Sequence, residues 1–274
     1  MRVGSVELYP IEDAVGELGE LAELFPDVPA DAWEPYRELY PCLFVESRWR
    51  VPLTSYLVLT GGLTVLVDTA IGPPEATYWP LERGGGLPAG LVKLGVEPGD
   101  VDVVFLTHVH VDHVGWNADA EGTPLFPNAR YLIDPDGLMW ALNSRSDAPY
   151  VQRCLRSLTK RRLVDDVRRG EEIVPGVSTV DLPGHLPGQL GLRIGDEALL
   201  IADAAVHPAL LEEPEWVYVW DHDAETSVAT RQALLRDVVD RDVLVVCGHY
   251  PDGGVGRVVR RDGRVVWASQ GDLI

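Results

Sequence analysis

Three histidines and one aspartate fall within six consecutive positions of the chain, a density of metal-ligand side chains that structural roles seldom require. The four residues are His108, His110, Asp112 and His113. They directly follow the apolar run 101–106, which is typical of a buried strand. In an extended loop His108 and His110 project the same way and can bind one ion. Asp112 and His113 lie where the chain turns into a helix, so they can face a second ion.

The metal-free interpretation of this run is physically unfavourable. Three imidazoles packed together without a metal would repel one another once protonated, and each would need its own hydrogen-bond partner. The run therefore predicts a metal site directly after a buried strand.

The elements around this run predict how other ligand-type residues are positioned. Strands are expected at 3–8, 56–59, 63–67, 101–106, 129–133, 177–182, 190–194, 198–201, 243–247, 255–259 and 265–267. Helices are expected at 14–24, 136–142, 149–169 and 225–239. His185, Asp203 and His249 each come shortly after one of these strands. A rigid sheet that presents ligands on loops is a common way to build an active site.

The run Thr107–His113 resembles the HxHxDH motif of the metallo-β-lactamase superfamily. Further matches, in the same order along the chain, are Asp68, Pro183-Gly184-His185, Asp203 and Gly248-His249. The resemblance covers most of the chain after about Pro52. It implies an α/β fold, an αββα sandwich of two mixed β-sheets flanked by helices, with the metals at one edge. We expect one domain over residues 1–274, in which an N-terminal extension of residues 1–50 contributes to the rim of the pocket.

The resemblance also implies a role for each ligand. His108, His110 and His185 would hold the first ion, Asp112, His113 and His249 the second, and Asp203 would bridge the two. Two divalent ions bring about four positive charges, and two carboxylates with a bridging hydroxide return about three. The surplus suits an oxyanion, with the ions roughly 3.5–4 Å apart and the pKa of bound water lowered from 15.7 towards about 7. Zinc is the expected metal, although such ligands also accept iron, manganese or cobalt.

The aspartate at position 203 indicates which branch of the superfamily is most similar. The β-lactamases that bind zinc through cysteine have that cysteine at this position. The aspartate of this chain instead resembles the carboxylate of the lactonases and organophosphate hydrolases. The segments 126–131, 203–208, 214–216 and 221–223 are similar to the branch of methyl parathion hydrolase and some N-acyl-homoserine lactonases. Some of these lactonases have a tyrosine three residues after the bridging aspartate, where this chain has Val206.

The leading hypothesis is therefore a dinuclear hydrolase of ester-type bonds. A hydroxide that bridges the ions would attack the carbonyl of a lactone, ester or thioester, with Asp203 and Asp112 as the catalytic carboxylates and Asp112 or a water relaying protons. Four further residues are candidates around the metals or in the pocket: Asp68, His207, Tyr218 and Tyr250. Asp68 is predicted to orient a histidine and His207 to lie near the pocket, and either tyrosine could supply an oxyanion donor.

Three other functions are compatible with the motif. Phosphotriester cleavage would use the same two ions. A persulfide-type dioxygenase would share the histidines of the first site but use one iron, and a third class would bind metal without catalysis. Two ions per chain with activity in zinc or manganese would disfavour the oxygenase, whereas one iron and oxygen consumption would exclude the hydrolase.

Composition limits the partners of the chain. The 274 residues carry 23 basic and 43 acidic side chains, a formal net charge of −20. This charge repels phosphate backbones and anionic membranes, so the expected partner is a small-molecule substrate rather than nucleic acid or a membrane, and a homodimer is left open. No secretory signal or apolar stretch of membrane-spanning length is visible, which predicts a cytoplasmic location. Cys42, Cys154 and Cys247 have no paired spacing and are expected to be buried.

Overall fold

Short β-rich runs separated by turn residues pair into two mixed sheets in the computed structural model, which describes residues 1–77 and 79–273. The first sheet has the order β1-β2-β4-β5-β7-β8-β9, with β3 on β4 and β6 on β2. Its strands are β1 (Arg2–Val3), β2 (Val6–Glu20), β3 (Phe44–Val45), β4 (Arg48–Thr60), β5 (Leu63–Val67), β6 (Leu81–Arg83), β7 (Val103–Phe105), β8 (Arg130–Ile133) and β9 (Val164–Asp166). From β5 to β9 neighbouring strands run parallel, and the other pairs are antiparallel.

The second sheet follows in the chain and pairs its strands in sequence order. Its strands are β10 (Glu172–Val174), β11 (Val177–Asp181), β12 (Leu190–Ile194), β13 (Ala198–Leu200), β14 (Leu244–Val246), β15 (Val255–Arg261) and β16 (Arg264–Ser269). Only β13 and β14 are parallel among these described strands. The connection between those two strands is a long helical crossover over residues 201–243, as parallel neighbours require.

The helices are short, apart from two. They are α1 (Leu21–Leu24), α2 (Glu34–Leu39), α3 (Gly86–Lys93), α4 (Val111–Val114), α5 (Pro135–Ser144), α6 (Arg156–Arg161), α7 (Ala209–Glu212) and α8 (Ala224–Val238). Asp134 caps α5 and Asp223 caps α8, each through a side-chain oxygen that accepts a backbone N–H of the first turn. No helix of the described residues is both long enough and apolar enough to cross a bilayer.

Alternation along the strands builds three apolar layers. Phe105 of β7 and Leu200 of β13 lie in the layer between the two sheets. Their neighbours Val104 and Leu199 point the other way, because successive strand residues face opposite sides. Val104 packs with α3, α5 and α6, and Leu199 packs with α7, α8 and the segment around Trp33. The result is the αββα sandwich that the motif implied.

The direction of the strands places the ligand loops at one edge. β5 and β7 are parallel, so the loops after them leave the first sheet on the same side. In the second sheet β12 is antiparallel to both β11 and β13, so β11 and β13 point in the same direction. β14 is parallel to β13, and the loops after all three strands therefore leave the sheet on the same side. The chain thereby brings ligand residues from four loops, and Asp68 from a fifth, to the edge between the two sheets.

The predicted helix over residues 14–24 is wrong. These residues continue β2 as far as Glu20, paired with β4 from Glu7↔Leu59 to Glu20↔Arg48, and only the four residues of α1 are helical. Gly16 and Gly19 disfavour a helix, and the long partner strand satisfies the backbone of this segment instead.

The predicted helix over 149–169 is correct only in part. The segment forms one π-helical turn over Val151–Leu155 and then α6, which ends where Arg162 adopts a left-handed conformation with φ 58°. The chain then pairs with β8 as β9, so sheet pairing overrides the helical pattern of the remaining residues. Cys154 and Cys247 are buried as expected, but Cys42 is exposed.

Candidate metal centre

The loop after β7 presents its side chains as the spacing predicted. His110 has an extended backbone (φ −71°, ψ 160°) and directly precedes α4, which carries Asp112 and His113. His108 Nε2 and His110 Nδ1 lie 3.2 Å apart, on the same side of the loop. This contact brings the first pair of ligands together within two residues of chain.

The first group of ligands is completed from the second sheet. His185, on the loop after β11, places Nε2 3.1 Å from His110 Nδ1 and 3.4 Å from Asp203 Oδ2. Gly184, directly before it, has φ 124° and lies so close to Ser227 that a Cβ would approach the backbone nitrogen of that residue to 2.4 Å. Only glycine fits there, so the loop can deliver His185 to the other histidines. We call His108, His110 and His185 with Asp203 the first group.

The second group lies beside the first. Asp112 Oδ2 lies 3.7 Å from His113 Nε2 and 3.6 Å from His249 Nε2, the latter residue following β14. One side-chain atom from each of these three residues lies within 4.8 Å of the others. The structure therefore assembles both ligand sets that the sequence proposed.

Asp203 lies between the two groups, with one oxygen towards each. Its Oδ2 is 3.7 Å from His108 Nε2, in addition to the contact with His185. Its Oδ1 is 3.5 Å from His113 Nε2 and 3.3 Å from His249 Nε2. Asp203 is 6% exposed, which leaves little water to hydrate its charge. This geometry is the one expected of a bridging carboxylate.

The spacing and chemistry of these groups fit divalent ions. Tetrahedral ligands about 2.0–2.1 Å from a zinc ion lie roughly 3.3 Å from one another. The separations of 3.1 to 3.7 Å around the first group match this value. His113 Nε2 is buried and has no hydrogen-bond partner in the described protein, although it faces two carboxylates. A buried polar atom without a partner is costly unless something else occupies its lone pair.

The electrostatics of the two groups differ. Burial holds the pKa of His108 and of His110 well below the ordinary value, and neighbouring imidazoles add to this effect. Burial alone would also lower the pKa of His113 and His249, but the Asp203 carboxylate raises both. Imidazoles in turn outweigh burial at Asp203 and hold the pKa of its carboxyl well below the usual range. The field around the second group thus attracts positive charge, whereas His108 and His110 offer neutral imidazoles to the first group.

Asp68 lies beside His113, where the predicted orienting role would place it. Its Oδ2 lies 2.8 Å from His113 Nδ1, and its two oxygens accept the Thr107 backbone N–H and hydroxyl, each at 2.8 Å. With Nδ1 engaged by Asp68, Nε2 of His113 points to the second group. Asp68 has φ 56°, an unusual backbone for a residue other than glycine, which the three contacts maintain.

Asp221 was missed by sequence reasoning as a contact of the centre. Its Oδ1 lies 3.0 Å from His185 Nδ1, and its Oδ2 lies 3.2 Å from an amino group of Arg231. The triplet 221–223 was noticed only as a family resemblance, because an aspartate 36 residues from His185 gives no spacing signal.

Tyr218 and Tyr250 have different surroundings. The Tyr218 ring stacks on the His185 ring at 6.1 Å between centroids and lines the cavity above the metal groups. Burial raises the pKa of Tyr218 well above its ordinary value, with further contributions from Asp203 and Asp112, so its hydroxyl stays protonated. Tyr250 is fully buried, and its hydroxyl donates to the Ala205 carbonyl oxygen at 2.8 Å. Its hydroxyl is therefore committed to the core.

His207 lies in the aromatic core rather than among the described residues that line the cavity. Its ring contacts Trp33 and Trp49 at centroid distances of 5.2 and 5.6 Å. Its Nδ1 accepts the Ala209 backbone N–H at 3.1 Å, and burial lowers its pKa to about 3.

The depressed pKa of His207 predicts acid sensitivity. Below its ordinary value of 6.5, the unfolded chain takes up a proton that the folded chain refuses until about pH 3, so stability present above pH 6.5 is lost as the pH falls. Between pH 7.5 and 5.0, metal-stripped protein should lose about 2 kcal/mol more in urea unfolding than His207→Asn, which keeps an acceptor for Ala209. Equal losses in both proteins would show that His207 titrates normally.

A cavity of about 550 Å³ opens above the two metal groups. Asp112, Asp203, His110, His185 and His249 form its floor. Its aromatic walls are Trp49, Trp79, Trp140, Tyr150, Tyr218 and Trp220, and its aliphatic ones are Leu18, Val51, Leu186, Val206 and Val219. The Arg145 guanidinium lies over the Trp140 ring, 5.6 Å from the centroid. The tryptophans were not predicted as lining residues, because single tryptophans in a sequence most often belong to the core.

Comparison with known proteins gives a family match over most of the chain. The family model described as the metallo-beta-lactamase superfamily matches residues 48–249. The N-acyl homoserine lactonase AiiB of Agrobacterium fabrum is 29% identical over 239 residues, 78% of this chain and 84% of that protein. An N-acyl homoserine lactonase of a Bacillus species is 26% identical over 220 residues, 73% of this chain and 81% of that protein.

Solved structures support the fold at lower identity. The structure titled as AidC, a dizinc quorum-quenching lactonase with the product N-hexanoyl-L-homoserine, superposes with a TM-score of 0.82. It is 20% identical, and the match covers 98% of this chain and 96% of that one. The hydrolase AbOPH gives a TM-score of 0.83 at 20% identity, with the same two coverages.

Proposed function

Because this chain belongs to the metallo-β-lactamase superfamily, we propose that it is a dinuclear metal-dependent hydrolase that cleaves ester-type bonds, with lactones as its substrates. Relatives at 26 to 29% identity are N-acyl homoserine lactonases, which supports this substrate class. Esters and thioesters present the same kind of carbonyl to the centre and are included in the proposal.

The observation that carries the proposal is the position of Asp203. Each of its oxygens faces imidazole nitrogens of a different ligand group at 3.3 to 3.7 Å. A carboxylate shared in this way would hold two cations side by side when they are bound at the floor of the cavity. We propose zinc for both, since imidazole and carboxylate ligands suit it and the similar AidC structure is described as dizinc.

The two ions, when bound, supply Lewis-acid polarisation of the carbonyl and a water that loses its proton near neutral pH. The side chains of the protein provide the remaining functions. Asp112 lines the cavity floor, where its carboxylate can accept a proton and return it to the leaving alcohol oxygen. Tyr218 can donate a hydrogen bond to the carbonyl oxygen as negative charge develops there.

Val206 bears on the choice of substrate. It lines the cavity, where some homoserine lactonases have a tyrosine, so it supplies no hydroxyl. Among the described residues, Tyr150 and Tyr218 are the tyrosines that line the cavity. Of these, Tyr218 stacks on the ring of His185. We therefore propose lactone opening with the oxyanion donor on the loop before α8.

A second candidate function is phosphotriester cleavage, which the aromatic walls of the cavity favour. Trp49, Trp79, Trp140 and Trp220 can pack against an aromatic leaving group by offset or edge-to-face contact. This activity would use the same ions and floor residues, so only the substrate distinguishes it.

The N-terminal extension and the partners are also proposals. Leu18 and Trp49 from the first 50 residues line the cavity, which supports their contribution to its rim. The net charge of −20 supports a small-molecule substrate over nucleic acid or membrane, and a homodimer remains open.

The test is a substrate panel on zinc-replete protein. Lactones, aryl esters, thioesters and phosphotriesters of matched acyl or aryl size should be compared by kcat/KM, with metal content measured on the same sample. Lactones should be hydrolysed best. Preference for phosphotriesters would favour the second candidate, and oxygen consumption with one iron per chain would contradict both.

Tyr218→Phe tests the proposed donor. The variant keeps the ring that stacks on His185 but loses the hydroxyl, so kcat should fall about 10–100-fold while zinc content and the unfolding temperature stay unchanged. Tyr250→Phe is the matched control, because its hydroxyl serves the core and its removal should affect stability rather than kcat. An unchanged kcat in Tyr218→Phe would assign oxyanion stabilisation to the ions alone.

A further inference from the structure

Every histidine of the second sheet that faces the metals has its other ring nitrogen held. His249 Nδ1 lies 3.1 Å from the Pro52 carbonyl oxygen, and His185 Nδ1 lies 3.0 Å from Asp221 Oδ1. A carbonyl oxygen and a carboxylate both accept the Nδ1 proton, which leaves Nε2 free as a metal ligand. The contact at His185 differs because it is itself supported by a buried cation.

Arg231 is that cation, and its side chain is almost inaccessible. The Arg231 and Asp221 side chains are 1% and 2% exposed, and they meet at 3.2 Å. A buried charge is costly unless it is paired and hydrogen-bonded throughout. Arg231 meets this condition through Nε, which donates to the Pro214 carbonyl oxygen at 2.9 Å, and a second amino group, which donates to the Trp216 carbonyl oxygen at 2.8 Å.

These contacts connect two functional parts of the molecule. The segment 214–222 carries cavity-lining residues, including Tyr218 and Trp220. Its end is joined to the ligand loop by backbone hydrogen bonds from His222 to the His185 carbonyl oxygen at 3.0 Å and from Asp223 to the Gly184 carbonyl oxygen at 2.9 Å. Arg231 therefore fixes the cavity wall at one end and the orientation of His185 at the other.

From this arrangement we propose that Asp221 and Arg231 are positioning residues that set the affinity of the first group for its ion and couple it to the cavity wall. The inference rests on the proposed two-metal function. Asp68 occupies the corresponding place behind His113 in the second group, but the described residues give it no buried arginine. The two carboxylates thus control different ions.

The test uses cadmium-113 as the metal probe on the full-length, metal-stripped chain, followed by NMR. Wild-type protein should give two resonances, one for each group, because the groups differ in their number of nitrogen ligands. In Asp221→Asn one resonance should require about 10–100-fold more cadmium to appear, and in Asp68→Asn the other resonance should do so. Arg231→Lys and Arg231→Met should raise the cadmium requirement of the same resonance as Asp221→Asn. The increase should be smaller in Arg231→Lys, which retains a charge.

Arg130→Gln is the matched control for removing an arginine from a carboxylate pair, since Arg130 pairs with Asp165 on the surface. Both of its resonances should titrate as in wild type. Asp221→Asn could raise the cadmium requirement of both resonances equally, of neither, or of the resonance that Asp68→Asn affects. Any of these results would show that the positioning role is wrong, although the hydrolase proposal stands. If wild-type protein binds fewer than two ions, the proposed function fails instead.

Coupling to the wall adds a kinetic readout. At saturating zinc, where both sites are filled, Arg231→Lys should still raise KM several-fold, because segment 214–222 has lost its fixed anchor. Arg130→Gln at saturating zinc should leave KM at the wild-type value, since Arg130 lies on the surface and pairs with Asp165 rather than with that segment. Equal KM values in wild type and Arg231→Lys would overturn the coupling.

Discussion

Asp203→Ala should lower kcat/KM by at least about 10³-fold and reduce zinc from two ions per chain to one or none. The methyl group removes the carboxylate that faces both ligand groups, and it also removes one negative charge from a buried site. His113 and His249 would then lose the carboxylate that raises the pKa of each. Elemental analysis and steady-state kinetics on the same preparation measure both effects.

Two further variants separate charge from position in this experiment. Asp203→Asn keeps an oxygen ligand without the charge, so it should retain more metal than Asp203→Ala while remaining about as inactive. Asp165→Asn changes an exposed aspartate on β9 and should leave metal and rate unaffected. A fully active Asp203→Ala protein would remove Asp203 as the bridge and, with it, the proposed mechanism.

The ligand set was predictable because its signal is local. His108, His110, Asp112 and His113 share one loop, and each distant ligand follows an apolar run that reads as a strand. The order of strands was less accessible to sequence reasoning than their existence. That the loops bearing His185 and His249 leave the same edge depends on the crossover through α8, which residue spacing does not specify.

The errors have a common physical cause. Residues 14–20 and 164–166 carry patterns compatible with a helix, but each segment pairs with a strand that is distant in the sequence. Tertiary pairing overrides weak local propensity in such segments. The residues that contact the ligand histidines were difficult to predict for a related reason. Asp68 could be found through the family pattern, whereas the contact of Asp221 with Arg231 exists only once α8 is docked.

The residues that line the aromatic cavity, and so determine substrate specificity, could not be identified from the sequence either. Trp79, Trp140 and Trp220 come from three separate segments, and nothing in their spacing distinguishes them from core tryptophans such as Trp33. Because these tryptophans converge above Asp203, we expect the proposed substrate to carry a sizeable apolar group beside its carbonyl. Sequence reasoning could identify the chemistry, but only the fold could show what surrounds it.

Removal of the metals should abolish turnover and also destabilise the fold. The apo centre leaves buried imidazoles and carboxylates facing one another at 3.1 to 3.7 Å, with His113 Nε2 unpartnered. Ions that bind only the folded chain, each at about 1,000 times its dissociation constant, stabilise it by about 4 kcal/mol apiece. Dialysis against a chelator should thus lower the melting temperature by about 10–20 °C.

Restoration by defined metals completes this last experiment. Two equivalents of zinc, manganese or cobalt should return both the melting temperature and lactone hydrolysis, because the ligands accept each of these ions. Recovery with one equivalent of iron, accompanied by oxygen uptake, would instead support the mononuclear dioxygenase. Stability that is unchanged by the chelator, in protein shown by elemental analysis to be metal-free, would mean that the buried cluster does not depend on cations. In that case protonated His113 and His249, whose pKa Asp203 raises, would have to explain the contacts of one Asp203 oxygen, whereas the low pKa of His108 opposes protonation beside the other.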